Sequence, residues 1–155
     1  MIRPRLLCVD DDAAVRELYR KILGSFGYDV LLAENGAHAL KLFHPRQIDA
    51  VILDYEMPGM KGSEVAAELK RRSPGIPIIM VSGCPSVVEE APRFVDAAIP
   101  KGSPIGWLLD RVEALAGAAK GKLATPGLPI SRFIPLGSAL ATVAVSAFLL
   151  PRLWK

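Results

Sequence analysis

Past residue 117 the sequence has neither aspartate nor glutamate, although Lys120, Lys122, Arg132, Arg152 and Lys155 follow. All 16 acidic residues and 14 of the 19 basic ones lie before that point, giving −2 there and +5 in the tail. The basic pI of about 9.0 therefore belongs to the tail. It does not mark a nucleic-acid-binding surface, and no nucleic-acid partner is expected. Cysteine is scarce. Cys8 and Cys84 are far apart and fit no metal-ligand spacing, which leaves reduced, partly buried thiols in a cytosolic setting. No secretory signal peptide is expected, because Asp10–Asp12 end the first apolar run within a few residues of its start. No internal repeat is present. With 51% hydrophobic and 23% charged residues, the chain is too apolar for disorder. Its 155 residues suffice for one cored domain and a modest appendage.

Short apolar runs alternate with helical periodicity through the first 117 residues. Leu6–Val9, Val30–Ala33, Ile48–Leu53, Ile76–Val81 and Ala97–Ile99 read as strands. Val15, Leu18, Tyr19, Ile22, Leu23 and Phe26 recur at helical spacing before Gly27. Asn35-Gly36 reads as a turn, followed by a short helix over Ala37–Phe43 that ends near Pro45. Ser63 can cap a helix running to Arg72. Residues 84–95 are weakly helical because Pro85 and Pro92 interrupt them. Ile105, Leu108, Leu109, Val112 and Leu115 mark a last amphipathic helix. Continuously apolar strands separated by helices predict a doubly wound, five-stranded parallel sheet with both faces covered. In such a sheet, ligands sit beyond the carboxyl ends of the strands.

Those ends carry the chemistry-bearing residues. Asp10, Asp11 and Asp12 follow the first strand, Asp54 the third, Ser82 the fourth and Lys101 the fifth. If the sheet closes as predicted, they face one cleft. Unit charges about 4 Å apart repel by about 4 kcal/mol at an intermediate effective dielectric, so such a cluster calls for a cation. Hard carboxylate oxygens select Mg²⁺, which leans on one or two protein carboxylates plus phosphate. A carboxylate in that setting can act as a nucleophile toward phosphorus. A hydroxyl and an ammonium beside it can hold the phosphoryl oxygens. Asp12, directly before the first helix, reads as its N-cap. His38 and His44 read as surface residues, and Met57 and Met60 as loop residues without a metal role.

The segments "CVDDD", "VILDYEMPGMKG", "IIMVSG" and "IPKG", in that order, resemble the receiver domain of bacterial two-component response regulators over about residues 4–117. The resemblance implies a flavodoxin-like (βα)5 fold. It implies that Asp10 and Asp11 hold Mg²⁺ with Asp54 and the backbone carbonyl of Glu56. Asp54 would be the phosphoacceptor, with Ser82 and Lys101 answering the phosphoryl group. It implies a histidine kinase or phosphotransfer protein as partner. Such a module is a signalling phosphoacceptor rather than an enzyme, with at most self-catalysed phosphotransfer and aspartyl-phosphate hydrolysis. Three features depart from the family. Gly102 stands where a proline follows the lysine, so that a trans Lys101–Gly102 bond is expected, and Ala98 replaces an aromatic switch residue. The Ser82–Lys101 span is also short. These put the usual aromatic-coupled readout in question.

No output domain is expected after residue 117. Residues 118–131 read as a linker. Residues 133–150 run 18 residues without a charge, spanning about 27 Å at 1.5 Å per residue. A transmembrane helix over 132–151 with a short 152–155 tail is expected. It would tether the receiver, residues 1–117, to the cytoplasmic face of the inner membrane as a single-pass anchor. Gly137, Ser138, Ala141, Thr142 and Ser146 form a small-residue face of a kind that pairs helices, so a homodimer is among the expected assemblies. Two other readings compete with a phosphorylated receiver. One is a pseudo-receiver that binds a partner without phosphorylation. The other is a small metal-dependent phosphatase, disfavoured because Glu56 occupies the place of its second aspartate.

Overall fold

In the computed structural model, which describes residues 3–84, 86, 88 and 94–119, the strands are β1 (Arg5–Val9), β2 (Asp29–Ala33), β3 (Ala50–Asp54), β4 (Ile78–Ser82) and β5 (Ala97–Pro100). The helices among these residues are α1 (Ala13–Ser25), α2 (Gly36–Leu42), α3 (Gly62–Arg72) and α4 (Ile105–Ala119). All strand pairings are parallel, in the order β2-β1-β3-β4-β5. This is the doubly wound α/β sheet that the alternation predicts. The expected transmembrane helix over 132–151 lies outside the described residues, as do residues 120–131 of the linker, the 152–155 tail and most of the 84–95 segment. Among the described residues, no helix is long and apolar enough to cross a membrane.

The core follows from period-two alternation within strands that are covered on both sides. Leu7, Val9, Val51, Leu53, Ile78 and Met80 point to one face, where Ala39 of α2 and Val65, Ala66 and Leu69 of α3 cover them. Leu6, Cys8, Ala50, Ile52, Ile79 and Val81 point to the other, against Leu23 of α1 and Leu108, Leu109 and Val112 of α4. Each fully buried aliphatic side chain contributes roughly 1.5–3 kcal/mol of transfer free energy. Both layers meet at β1, β3 and β4, and this three-strand centre holds the strand ends in register. At one margin lies β5, four residues long and only partly buried.

The ends of several elements differ from the sequence expectation for local reasons. β3 begins at Ala50 because the Ile48 N–H is taken by the carbonyl of His44 in a preceding turn. β4 begins at Ile78 because Pro77 has no N–H to give, although its carbonyl accepts from Val51 at 2.9 Å. α3 is entered at Lys61 and Gly62, not at Ser63. The Glu64 carboxylate reaches back to accept from the Lys61 N–H at 2.8 Å, satisfying a donor that Ser63 lies too far along to serve. Asn35 is more than a turn residue: its Oδ1 accepts from the His38 N–H at 2.8 Å and caps α2.

Candidate phosphoryl-transfer and metal site

The strand order places β1 between β2 and β3, so successive crossovers leave β1 on opposite sides. That reversal opens a crevice between the ends of β1 and β3, where such sheets bind ligands. Val9 of β1 stands opposite Leu53 of β3, so Asp10 and Asp54 emerge side by side. Asp54 is paired with Val81, and Ser82 with Pro100, which brings Lys101 to the same rim. The Lys101 N–H donates to the carbonyl of Ser82 at 2.7 Å.

Asp10, Asp11 and Asp54 each offer a carboxylate oxygen within 4.8 Å of the others. Asp10 and Asp54 are buried, while Asp11 is exposed and closes the cluster on the solvent side. Burial, then the neighbouring Asp54 charge, pushes the Asp10 carboxyl up to about 7. Burial also raises Asp54, against the hydrogen bond and charge of Lys101. Burial opposes the charge on Lys101, yet the bond from its Nζ to Asp54 Oδ2 at 2.9 Å and the charges of Asp54, Asp10 and Asp11 together outweigh it and hold the ammonium above its usual range. One lysine therefore compensates only part of a triple acidic cluster. The donor set is all hard oxygen and the residual repulsion is what a divalent cation would relieve, so these residues fit Mg²⁺.

The turn after β3 completes the acceptor's surroundings. The Glu56 N–H donates to Asp54 Oδ1 at 3.1 Å, and the Glu56 side chain is exposed. Ser82 is buried at the rim, and its Oγ accepts from the Cys84 N–H at 3.0 Å. Cys8 is buried and Cys84 half-buried; neither forms a disulfide. Burial raises the Cys8 thiol well above its ordinary value, so it stays protonated in the core. A cavity of about 50 Å³ opens beside Asp10 and Lys101, walled by Leu18, Tyr19, Ile105 and Leu108.

The sequence-predicted residues thus come together: Asp10, Asp11, Asp54, Ser82 and Lys101 share one rim, and Glu56 lies in the turn after Asp54. Asp12 caps α1, its Oδ1 accepting from the Ala14 N–H at 2.7 Å. His44 is exposed, as expected. His38 is half-buried rather than a surface residue, and its Nδ1 has no hydrogen-bond partner among the described residues. Met57 is buried in the α2–α3 layer and holds the loop from beneath.

Two residues at the site were missed from sequence. Gly62 opens α3 directly against the acceptor strand: a Cβ there would lie 2.4 Å from the Asp54 carbonyl oxygen and 2.8 Å from Tyr55 Cα. Only glycine allows this approach, and the Gly62 N–H uses it to donate to the Tyr55 carbonyl at 3.0 Å. Its signal was present in "GMKGSE", yet nothing local separates it from an ordinary loop glycine. The second, Arg16, donates from α1 to the backbone of the aspartate turn. At Gly102, φ is +82°, a conformation that glycine adopts freely, and no cis peptide bond occurs among the described residues. The trans Lys101–Gly102 expectation agrees with this.

Residues 6–100 match the family described as the response regulator receiver domain. Among curated proteins, the chain is 40% identical over 114 residues to response regulator MprA of Mycobacterium sp. (strain KMS), covering 72% of this chain and 50% of that protein. It is 37% identical over 119 residues to MprA of Mycobacterium leprae (strain TN), covering 75% and 52% respectively. The chain thus spans about half the length of the curated relatives it matches. Among solved structures, it resembles response regulator protein TrrA (TM1360) from Thermotoga maritima, crystallised in complex with Mg²⁺-BeF. That match has a TM-score of 0.68 and 35% identity, over 72% of this chain and 98% of that one. A CheY-like receiver domain protein from Methanospirillum hungatei JF-1 gives a TM-score of 0.71 at 27% identity, covering 77% and 98%.

Proposed function

Since the chain belongs to the response regulator receiver domain family, we propose that it accepts a phosphoryl group on Asp54 from a histidine kinase or phosphotransfer protein, in a Mg²⁺-dependent reaction. The observation that carries this reading is the grouping of the Asp10, Asp11 and Asp54 carboxylates within 4.8 Å, with Lys101 Nζ 2.9 Å from Asp54 Oδ2. The Mg²⁺-BeF complex of the Thermotoga maritima relative supports the choice of metal and the phosphoryl-like ligand at such a site.

In this reading Asp10, Asp11 and Asp54 hold Mg²⁺ together with the backbone carbonyl of Glu56. The bound cation offsets negative charge on the transferring phosphoryl oxygens. An Asp54 carboxylate oxygen attacks phosphorus as the bond from phosphorus to the donor imidazole nitrogen breaks. The nitrogen keeps the electron pair, and Asp54 becomes an acyl phosphate. Lys101, already paired with Asp54, turns its ammonium to a phosphoryl oxygen, and the Ser82 hydroxyl donates to another. The turn N–H of Glu56 keeps the carboxyl oriented throughout. The chain then acts as a signalling phosphoacceptor, not as an enzyme with a separate substrate. With Ala98 half-buried on β5 and no aromatic there, phosphorylation is read out through a route other than an aromatic switch.

The apolar stretch 133–150 tethers the receiver to the cytoplasmic face of the inner membrane in this proposal, and residues 118–155 carry no DNA-binding motif. Incubation of the full-length chain with acetyl phosphate and Mg²⁺, followed by intact mass, tests the phosphoacceptor role. One added phosphoryl group is expected, and none in Asp54→Asn. An unmodified chain across a range of metal and donor would point instead to the pseudo-receiver. Recovery of the full-length chain from cells in a salt-washed soluble fraction would remove the membrane tether.

A further inference from the structure

The turn that carries the three aspartates is held from its far side by a residue outside the acidic motif. Arg16 lies in the first turn of α1, and its Nη1 donates to the carbonyl of Asp10 at 2.7 Å and to that of Asp11 at 2.9 Å. One nitrogen bridging two consecutive carbonyls fixes the peptide planes that follow both aspartates. The turn is tied at its other side as well. The Asp12 N–H donates to Asp10 Oδ1 at 2.8 Å, and the Asp10 N–H to the Ala33 carbonyl at 3.2 Å. The backbone under Asp10 is therefore fixed at successive peptides. The peptide after Asp11 is held at both ends, its N–H by the Asp10 carboxylate and its carbonyl, on the side of the exposed Asp11, by Arg16.

This matters because the carboxylates above the turn repel one another. Without a restraint, the exposed Asp11 would swing away from Asp10 and Asp54 into water, and a metal would have to gather the ligands as it bound. We infer that Arg16 is a positioning residue for the divalent cation: by bridging the two carbonyls, it holds Asp10 and Asp11 convergent on Asp54 before metal arrives. The inference rests on the receiver reading of the site. Arginine suits the task better than lysine, because its planar guanidinium directs its N–H groups in a fixed fork that an ammonium on a flexible stem lacks.

The test is Mg²⁺ titration of the full-length chain by calorimetry, with thermal unfolding in the absence of metal recorded in parallel. Residues that orient metal ligands typically cost about 10–100-fold in affinity when removed, so Arg16→Ala is expected to weaken the Mg²⁺ Kd about tenfold. Arg16→Lys is expected to recover part of that loss, and metal-free unfolding to move little in either variant. An unchanged Kd in a folded Arg16→Ala chain overturns the inference. Should Arg16→Ala fail to fold, Arg16→Lys decides. A Kd within about twofold of the unsubstituted chain overturns the inference, and a weaker one supports it. If the unsubstituted chain binds no Mg²⁺, the proposed function itself fails, which is a different result from an unchanged Kd.

Discussion

The two halves of the rim are built in opposite ways. On the β1–β3 side, acidic groups are crowded, with Asp10 and Asp54 buried, and the backbone beneath them is tied down by Arg16, Asp12 and the Asp10 carboxylate. On the β4–β5 side, one cation, Lys101, reaches across from a short and partly exposed strand, followed by a glycine at positive φ. The first side stores repulsion in a fixed frame, and the second compensates it through a single long side chain. A fixed frame suits groups that must share one metal. A single ammonium on a long side chain suits a group that must let go of a carboxylate and take up a phosphoryl oxygen.

Removing the compensating side should have the largest consequence. In Lys101→Ala, acetyl-phosphate labelling of Asp54 is expected to slow by about 10²–10³-fold, the range for losing one charge-stabilising donor, and intact-mass time courses would show it. Labelling at an unchanged rate would mean that the β4–β5 side is dispensable. Distorting the frame comes next. Gly62→Ala drives a Cβ into the Asp54 carbonyl, so denaturant unfolding should show a loss of about 1–3 kcal/mol, with labelling impaired as well.

Proton concentration sharpens the contrast further, because Asp10 titrates near 7 amid Asp11, Asp54 and Lys101. Its folded value lies above the unfolded value of about 3.9, so the folded state binds more protons between the two. Metal-free stability should therefore fall as pH rises from about 4 to about 7 and change little from this source above that. Mg²⁺ needs the carboxylate, so its affinity should run the other way and weaken about tenfold from about pH 8 to about pH 6. Calorimetry at a few pH values would check the sign, and a flat profile would count against a crowded acidic frame. Least of all, Asp12→Ala should cost about 1 kcal/mol in thermal unfolding by removing the cap of α1, with labelling of Asp54 retained.

Much of this site was legible from residues alone, because each acidic or basic group sits one step past an apolar run. A parallel sheet converts that local pattern into a shared rim without further information. The strand and helix order was legible for the same reason. What escaped were contacts made between distant segments. Arg16 reads along the sequence as one more solvated helix charge, and only the closing of the β1–α1 turn aims it at two carbonyls. Gly62 reads as a loop glycine until α3 packs against β3. The α3 cap was misassigned because Ser63 is the stronger local candidate, while Glu64 wins by reaching back to Lys61. His38 was misread because it flanks the buried Ala39 rather than sharing the outward line of the exposed Ala37 and Lys41.

The four-residue margin of the sheet has a further consequence. β5 ends on Pro100, which has no amide hydrogen to offer an incoming strand, and its brevity leaves few other free donors along that border. Lateral β-augmentation by a partner peptide is thereby discouraged at this border, as is edge-to-edge aggregation. Whatever docks on this side must read side chains on the neighbouring helix and loops, and recognition there becomes a matter of surface composition rather than backbone addition.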